Sequence, residues 1–472
     1  MSTLDQADVD VMKATKTCVA AQRFQYDYLN DDITDDGKID YSLTNKVPEG
    51  LRKAIADGKK ILVLINPPYG ETGAGIGKGG TNKKGVEKTR INTSMTDTGY
   101  ASKELFVQFL VRIAKEIPTA TLAMFSTLKY VNSSNFEKFR HTWNAEYLNG
   151  FIVHSRAFDG LKGDFPIGFL IWKTDQNGKK RSITEITVEI LNKNSQQIGE
   201  KKFYNLASNT YLNVWAKKPA TNKELALPLS NAIKISSNPR LKKSCNNMVG
   251  YLYASNNDLQ HAALETLISS SIYTGGNGGG LYITSDNLWQ VSVIFSVRRL
   301  IKPTWLNDRD QFLQPTQPLS EEFKIDCLIW MLFNGSNLTA SADDLEWNGK
   351  KWSIVNHFIP FTETEVNAPD RFESDFMVQY MEDKILSSEA TAVLDAGRLL
   401  WQAYFAETDV RTVRDEFKLN RSDVGWYQIR NALKARNTSG DTIPIDFKPF
   451  ENAYKILSDK LRPMVFELGF LR

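Results

Sequence analysis

The stretch Lys59-Lys60-Ile61-Leu62-Val63-Leu64-Ile65-Asn66-Pro67-Pro68-Tyr69 decides how this chain is read. Its five consecutive apolar residues, 61–65, form the short burst expected of a strand buried on both faces of a parallel sheet. The tetrapeptide that follows carries chemistry. Two prolines fix the backbone and remove two amide donors, so the neighbouring carbonyls remain as pure acceptors, and Asn66 adds a side-chain oxygen. Such a site suits an amine. An exocyclic base amine would give one hydrogen to Asn66 and the other to the Pro67 carbonyl, which raises electron density on its nitrogen and aims the lone pair at an electrophile. Tyr69 offers an aromatic face on which the base can stack. The plain alternative is a proline-proline turn that ends a strand.

Outward from this point the apolar pattern alternates between strand and helix. Upstream, residues 6–20 read as a helix with Ala7, Val11 and Ala14 on one stripe, 23–29 as a short strand and 51–56 as helical. Downstream, residues 70–98 are dominated by Gly, Thr, Asn and Lys and read as a long mobile loop. A helix over 102–117 is stopped by Pro118, a strand follows at 121–125, a helix at 135–147, and 150–153 with 166–172 read as two strands able to pair. The alternation predicts an α/β domain over residues 1–180, built on an open, mainly parallel sheet. Shorter strands and turn-rich stretches over 181–318 predict a mixed α/β second domain. Helical apolar spacing dominates 319–472.

Composition narrows the function classes. At 472 residues with 42% hydrophobic and 24% charged residues, the chain has ample material for buried cores and lacks the signature of disorder. The longest apolar run is far below the roughly 18 to 20 residues of a membrane span. The three cysteines, Cys18, Cys245 and Cys327, lie far apart, and the first thirty residues do not resemble a secretion signal, so a reducing, cytoplasmic protein without membrane attachment is expected. The four histidines show no spacing that suggests zinc or a catalytic triad.

On the tetrapeptide Asn66-Pro67-Pro68-Tyr69 and the order of elements over roughly residues 1–175, the chain resembles the amino-methyltransferases of DNA, especially the large adenine-specific enzymes of bacterial restriction-modification systems. In that family the Asn/Asp-Pro-Pro-Tyr/Phe motif closes the fourth strand of the sheet and binds a flipped-out base. The resemblance implies a partial Rossmann-like methyltransferase sheet, S-adenosylmethionine as cofactor, double-stranded DNA as partner and adenine N6 as the methylated atom. It also implies roles for single residues. Asp27 and Tyr28 match the motif in which an acid contacts the adenine of the cofactor, Asp5 matches the acid that binds its ribose hydroxyls, and Phe158 or Phe165 matches the aromatic that sandwiches the flipped base.

The family's cofactor signature, an acid and a Gly-x-Gly turn after the first strand, has no counterpart here. Around Gly77-Lys78 a phosphate-binding loop fails because Thr72 and Gly79 occupy required glycine and Ser/Thr positions. Residues 275–280 have glycines in the wrong register, and 393–397 keep helical spacing through Leu400 and Tyr404. The expectation is therefore a catalytic fold entered near its second strand, with the first strand and the cofactor turn supplied by a missing N-terminal segment or a partner subunit. A non-catalytic DNA-recognition subunit or remnant is the competing reading, and a nucleotide-hydrolysing motor a third.

Two clusters are read as DNA contacts. Lys83, Lys84, Lys88 and Arg90 lie in the glycine-rich loop after Tyr69, where cations would track a phosphate backbone. Arg298 and Arg299 stand beside Trp289, Phe295 and Trp305, with Asn287 and Gln290 as candidate base readers; Arg240, Lys242 and Lys243 form a further basic group.

Overall fold

Alternate residues along the strands of the N-terminal half divide into an apolar set that meets helices and a set that does not, and this division organises the architecture. The computed structural model describes residues 1–68, 89–159, 161, 163–236, 241–274, 279–406, 423–434 and 445–472. Two compact units emerge, Met1–Ser208 with Thr304–Arg309, and Asn209–Pro303 with Asp310–Arg472. The first boundary lies beyond residue 180 because the chain, after its exit turn at 175–181, adds another hairpin to the first sheet, and none falls at 318 because one hydrophobic core joins residues on both sides of it.

In the first unit, strand β1 (Ser2–Thr3), helix α1 (Gln6–Ala14) and strand β2 (Phe24–Gln25) form a crossover in which β1 and β2 pair in parallel. Helix α2 (Glu49–Ala56) leads into strand β3 (Leu62–Ile65). The short helix α3 (Arg90–Thr93) and helix α4 (Leu105–Glu116) precede strand β4 (Thr121–Thr127). Helices α5 (Lys129–Asn132) and α6 (Glu137–Thr142) then lead into β5 (Ala145–His154), β6 (Pro166–Thr174), β7 (Glu185–Leu191) and β8 (Gln197–Tyr204). The six-stranded sheet has the order β3-β4-β6-β5-β7-β8. β3 with β4 and β5 with β7 are parallel, and the other three pairings are antiparallel. The expected mainly parallel sheet is thus a mixed one, because β6 returns as a hairpin partner between β4 and β5. The helix expected over 135–147 stops at Thr142, and its last residues already belong to β5.

One face of this sheet is a closed core. Phe106, Leu110 and Ile113 of α4 and Tyr130 of α5 lie among Leu122, Met124, Ile152, Leu170 and Trp172. β3 departs from the sequence expectation. Val63 and Ile65 pack against that core, but Leu62 and Leu64 are 66% and 71% exposed. The strand is an edge, and among the described residues nothing pairs with its outer side.

In the second unit, strands β9 (Thr221–Ala226) and β10 (Lys242–Cys245) form an antiparallel ribbon. β11 (Gly250–Ala254), β12 (Thr266–Ser269), β13 (Gly279–Ile283) and β14 (Asn337–Leu338) form a sheet of order β13-β11-β12-β14, and β15 (Ala342–Trp347) with β16 (Lys350–Ile354) a hairpin. The helices Leu288–Leu300, Glu321–Leu332, Ser388–Ala406 and Lys448–Glu467 share the large core of this unit. Gly397 lies inside one of them, and a Cβ there would stand 2.2 Å from the Phe333 ring, so packing and not a cofactor turn explains this glycine.

Burial raises the phenols of Tyr26, Tyr28, Tyr41 and Tyr130 well above the ordinary range and that of Tyr147 to about 12. A phenol whose folded-state value is raised keeps its proton in the fold while the unfolded chain loses it near pH 10. Its stabilising contribution is therefore whole below about pH 10 and is lost as pH rises further. Denaturation midpoints should fall across the alkaline range, and of the chain's seventeen tyrosines these five should give tyrosinate absorbance only as the chain unfolds. Ionisation of all seventeen while the fold stays intact would contradict the burial of these rings.

Candidate base-binding site

Asn66 and Pro67 leave the carboxyl end of β3 directly, with Asn66 exposed and Pro67 buried. β3 and β4 run in register with Ile65 opposite Met124, so Asn66 continues the row that Phe125 occupies. That row is aromatic across the sheet. Phe125 lies opposite Phe169, and Phe169 opposite Phe151, with ring centroids 4.7 Å and 5.3 Å apart. Because side chains alternate along strands, these three rings lie on the face turned away from the helical core, and each is half-buried.

Phe158 joins this row, its ring centroid 5.4 Å from that of Phe125 at 72°. It is held there by a braced loop. The Ser155 amide donates to the Phe165 carbonyl at 2.9 Å, the Ser155 hydroxyl to the Gly163 carbonyl at 2.5 Å, and Arg156 pairs with Asp164 at 2.8 Å. Phe165 pairs with Ser155 four rows beyond Phe125, further from the Asn66 end. Unlike Phe158 and Phe165, the rings of Phe125, Phe151 and Phe169 carry no motif in the sequence. Their signal is a cross-strand one, visible only once the register is known. Tyr69 lies outside the described residues.

The second group of candidates sits at the ends of β1 and β2. Continuing the register from Ser2 opposite Phe24 brings Asp5 level with Asp27. Asp5 is exposed at the N-cap of α1 and makes no side-chain capping bond. The Asp27 carboxylate accepts from the Leu29 amide at 3.2 Å and the Asn30 side chain at 2.8 Å, so it also shapes its own turn. Tyr28 is committed elsewhere. Its ring stacks on Phe109, lies under the Arg112 guanidinium at 4.6 Å, and its hydroxyl donates to Glu116 at 2.5 Å. The expected cofactor contact by Tyr28 is corrected accordingly, since no ring face remains for a ligand.

Arg112 and Glu116 were not singled out in the sequence. Arg112 donates to the carbonyls of Tyr28 and Asp31 at 2.8 Å and 2.7 Å and to the Tyr26 hydroxyl at 2.6 Å. Glu116 accepts from Tyr41 at 2.7 Å. A buried guanidinium with a carboxylate four residues on thereby clamps the turn that carries Asp27 against α4. The available signal was a charged pair on an otherwise apolar helix.

The expected DNA contacts divide. Lys83, Lys84 and Lys88 lie outside the described residues. Arg90 is exposed, and its guanidinium donates to the Ile33 carbonyl at 3.0 Å. Arg298 is corrected: it is 1% exposed, donating to Thr266 and to the carbonyls of Asn256 and Ser255 at 2.8, 2.8 and 2.5 Å, and burial pushes its pKa down to about 10. Arg299 likewise donates to Asn334 and to the carbonyls of Ala263 and Thr266. Both tie a helix to a strand and are spent inside the fold. Arg298→Met should lower the melting temperature, since each orphaned acceptor costs on the order of 1–3 kcal/mol. It should leave the salt dependence of DNA binding unchanged, and a lowered salt slope without destabilisation would restore the phosphate reading.

No family model matches the chain, and no curated protein sequence matches it. Among solved structures it is similar to one described as "ATP-dependent Type ISP restriction-modification enzyme LlaBIII bound to DNA", with 8% sequence identity and a TM-score of 0.33. The match covers 95% of this chain and 40% of that one, so the chain spans less than half of that protein's length. No helix among the described residues is long and apolar enough to cross a membrane.

Proposed function

We propose that this chain is the base-binding part of a DNA adenine N6-methyltransferase of a restriction-modification system. The observation that carries the reading is the placement of Asn66-Pro67-Pro68 at the end of β3, in the row of half-buried rings onto which Phe158 folds. A base extruded from duplex DNA, at a cost of a few kcal/mol of unstacking, would meet acceptors on its amine edge and aromatic rings near its face. The Asn66 side-chain oxygen and the Pro67 carbonyl hold the two amine hydrogens, so the nitrogen lone pair points out of the base plane. Asparagine before the two prolines is what, by family resemblance, favours adenine over cytosine.

S-adenosylmethionine supplies the methyl group when bound. Of the described residues, Asp5 and Asp27 are the ones proposed to meet its nucleoside half: each lies two residues beyond one of the parallel strands β1 and β2, and Asp5 makes no side-chain capping bond. No glycine turn that would approach the methionine half is found in the sequence. A further strand bearing that turn is proposed to come from a missing N-terminal segment or a partner subunit. Among the described residues nothing pairs with the outer edge of β3, beside which Leu62 and Leu64 are exposed, and this supports the proposal. The packing of Tyr28 against Phe109 favours the competing reading of a DNA-recognition subunit without methyl transfer. Incubation of labelled cofactor and unmethylated duplex DNA with the chain and such a segment separates the two. Label in the DNA supports the enzyme, and DNA binding without label supports the recognition subunit.

A further inference from the structure

Between Lys217 and Lys243 the sequence holds seven lysines and arginines and a single acid, Glu224, a local excess twice the +3 net charge of the whole chain. Arg240 lies outside the described residues; the structure places the other six on the β9-β10 ribbon and its flanks. Lys217, Lys218, Lys223, Lys234, Lys242 and Lys243 are all exposed, and none of the six has an ion-pair partner among the described residues. Asp344, on the neighbouring hairpin, is already paired with Lys351 at 2.9 Å.

The ribbon is firmly mounted although its charges are free. Leu227, Leu229 and Ile235 at its base pack with Leu345 and Ile354, the Ser271 hydroxyl donates to the Leu227 carbonyl at 2.7 Å, and the Tyr282 hydroxyl donates to the Lys243 carbonyl at 2.7 Å. A solvated surface hairpin needs no such bracing. Unpaired like charges held close together also repel, so a fold that keeps them on one rigid element favours a polyanion that neutralises them.

We propose that this ribbon is the face on which the second unit docks duplex DNA, its lysines lying on the phosphates that flank a groove. The assignment rests on the reading of the chain as a DNA-modifying protein and names an element for it. A two-stranded ribbon has the width the major groove admits. Charge complementarity favours nucleic acid over a lipid surface, because Leu225 is the single exposed large apolar residue of the ribbon and offers little to bury in a bilayer.

The test compares the intact chain with a variant carrying Lys223→Gln, Lys242→Gln and Lys243→Gln, titrated with a short random-sequence duplex over a range of salt. Loss of three phosphate contacts should reduce the slope of log K against log salt by about 2.7 and weaken binding roughly 10²-fold at low salt. The thermal melt should not fall, since all three side chains are exposed and their mutual repulsion is relieved. The corresponding triple Lys→Arg variant should keep the parental slope. A chain that binds duplex DNA with an unchanged slope in the Gln variant overturns the ribbon assignment while the DNA reading stands. A chain that ignores DNA but binds phosphatidylserine vesicles through these lysines overturns both.

Discussion

Asn66→Ala is expected to reduce methyl transfer by something like 10²-fold or more in the complemented protein, while duplex binding stays near the parental value. The asymmetry follows from where each residue acts. The Asn66 oxygen accepts a hydrogen whose acidity grows as the amine nitrogen gains a bond, so its contribution is largest in the transition state. Affinity for duplex DNA comes mostly from phosphate contacts, which lie elsewhere. Single-turnover rates and equilibrium binding measured on the same preparation separate the two effects. Transfer within twofold of the parent would reduce Asn66-Pro67-Pro68-Tyr69 to a turn. Tyr69→Ala should instead shorten the lifetime of the extruded base, since stacking is worth roughly 1 to 3 kcal/mol, and a fluorescent base analogue in the duplex reports it.

The second large effect concerns the open edge. Covering Leu62 and Leu64 should contribute about 1.5 to 3 kcal/mol each when a complementing strand docks. Leu62→Lys with Leu64→Lys should then weaken capture of that strand by roughly 10²- to 10⁴-fold without unfolding the chain, because both side chains are already exposed. The same edge gives the chain alone a tendency to self-associate, which the two lysines should suppress in size-exclusion chromatography. Calorimetry of the chain alone should give little or no heat with S-adenosylmethionine. Low-micromolar binding by the chain alone would show that its own residues complete the cofactor site, and the docking argument would fall.

The legible parts of this molecule were those that local chemistry dictates. Proline pairs, apolar bursts and the stop at Pro118 placed β3, α4 and β4 within a few residues of where they lie. Helical spacing through Gly397 and Tyr404 distinguished a packed glycine from a cofactor turn. What the sequence hid depends on neighbours. Leu62 and Leu64 read as buried because a strand's composition says what would cover it and not whether the cover is there. Arg298 and Arg299 read as DNA contacts because clustered charge along a chain does not reveal the carbonyls of Ser255, Asn256 and Ala263 that hold it. Tyr28 carried a motif match, yet Phe109 and Glu116, some eighty residues on, had already claimed its ring and hydroxyl. The row of Phe125, Phe169 and Phe151 exists only through register, a property that three separated segments share and none shows alone.

Nucleoside mass spectrometry tests the central claim most directly. Unmethylated duplex DNA would be treated with S-adenosylmethionine and the chain, supplied with a segment that bears an apolar strand and a Gly-x-Gly turn, then digested to nucleosides. The account predicts N6-methyladenine as the product, lost when Asn66 is replaced by alanine. DNA that is bound yet carries no methylated base, or carries N4-methylcytosine in place of N6-methyladenine, would contradict it.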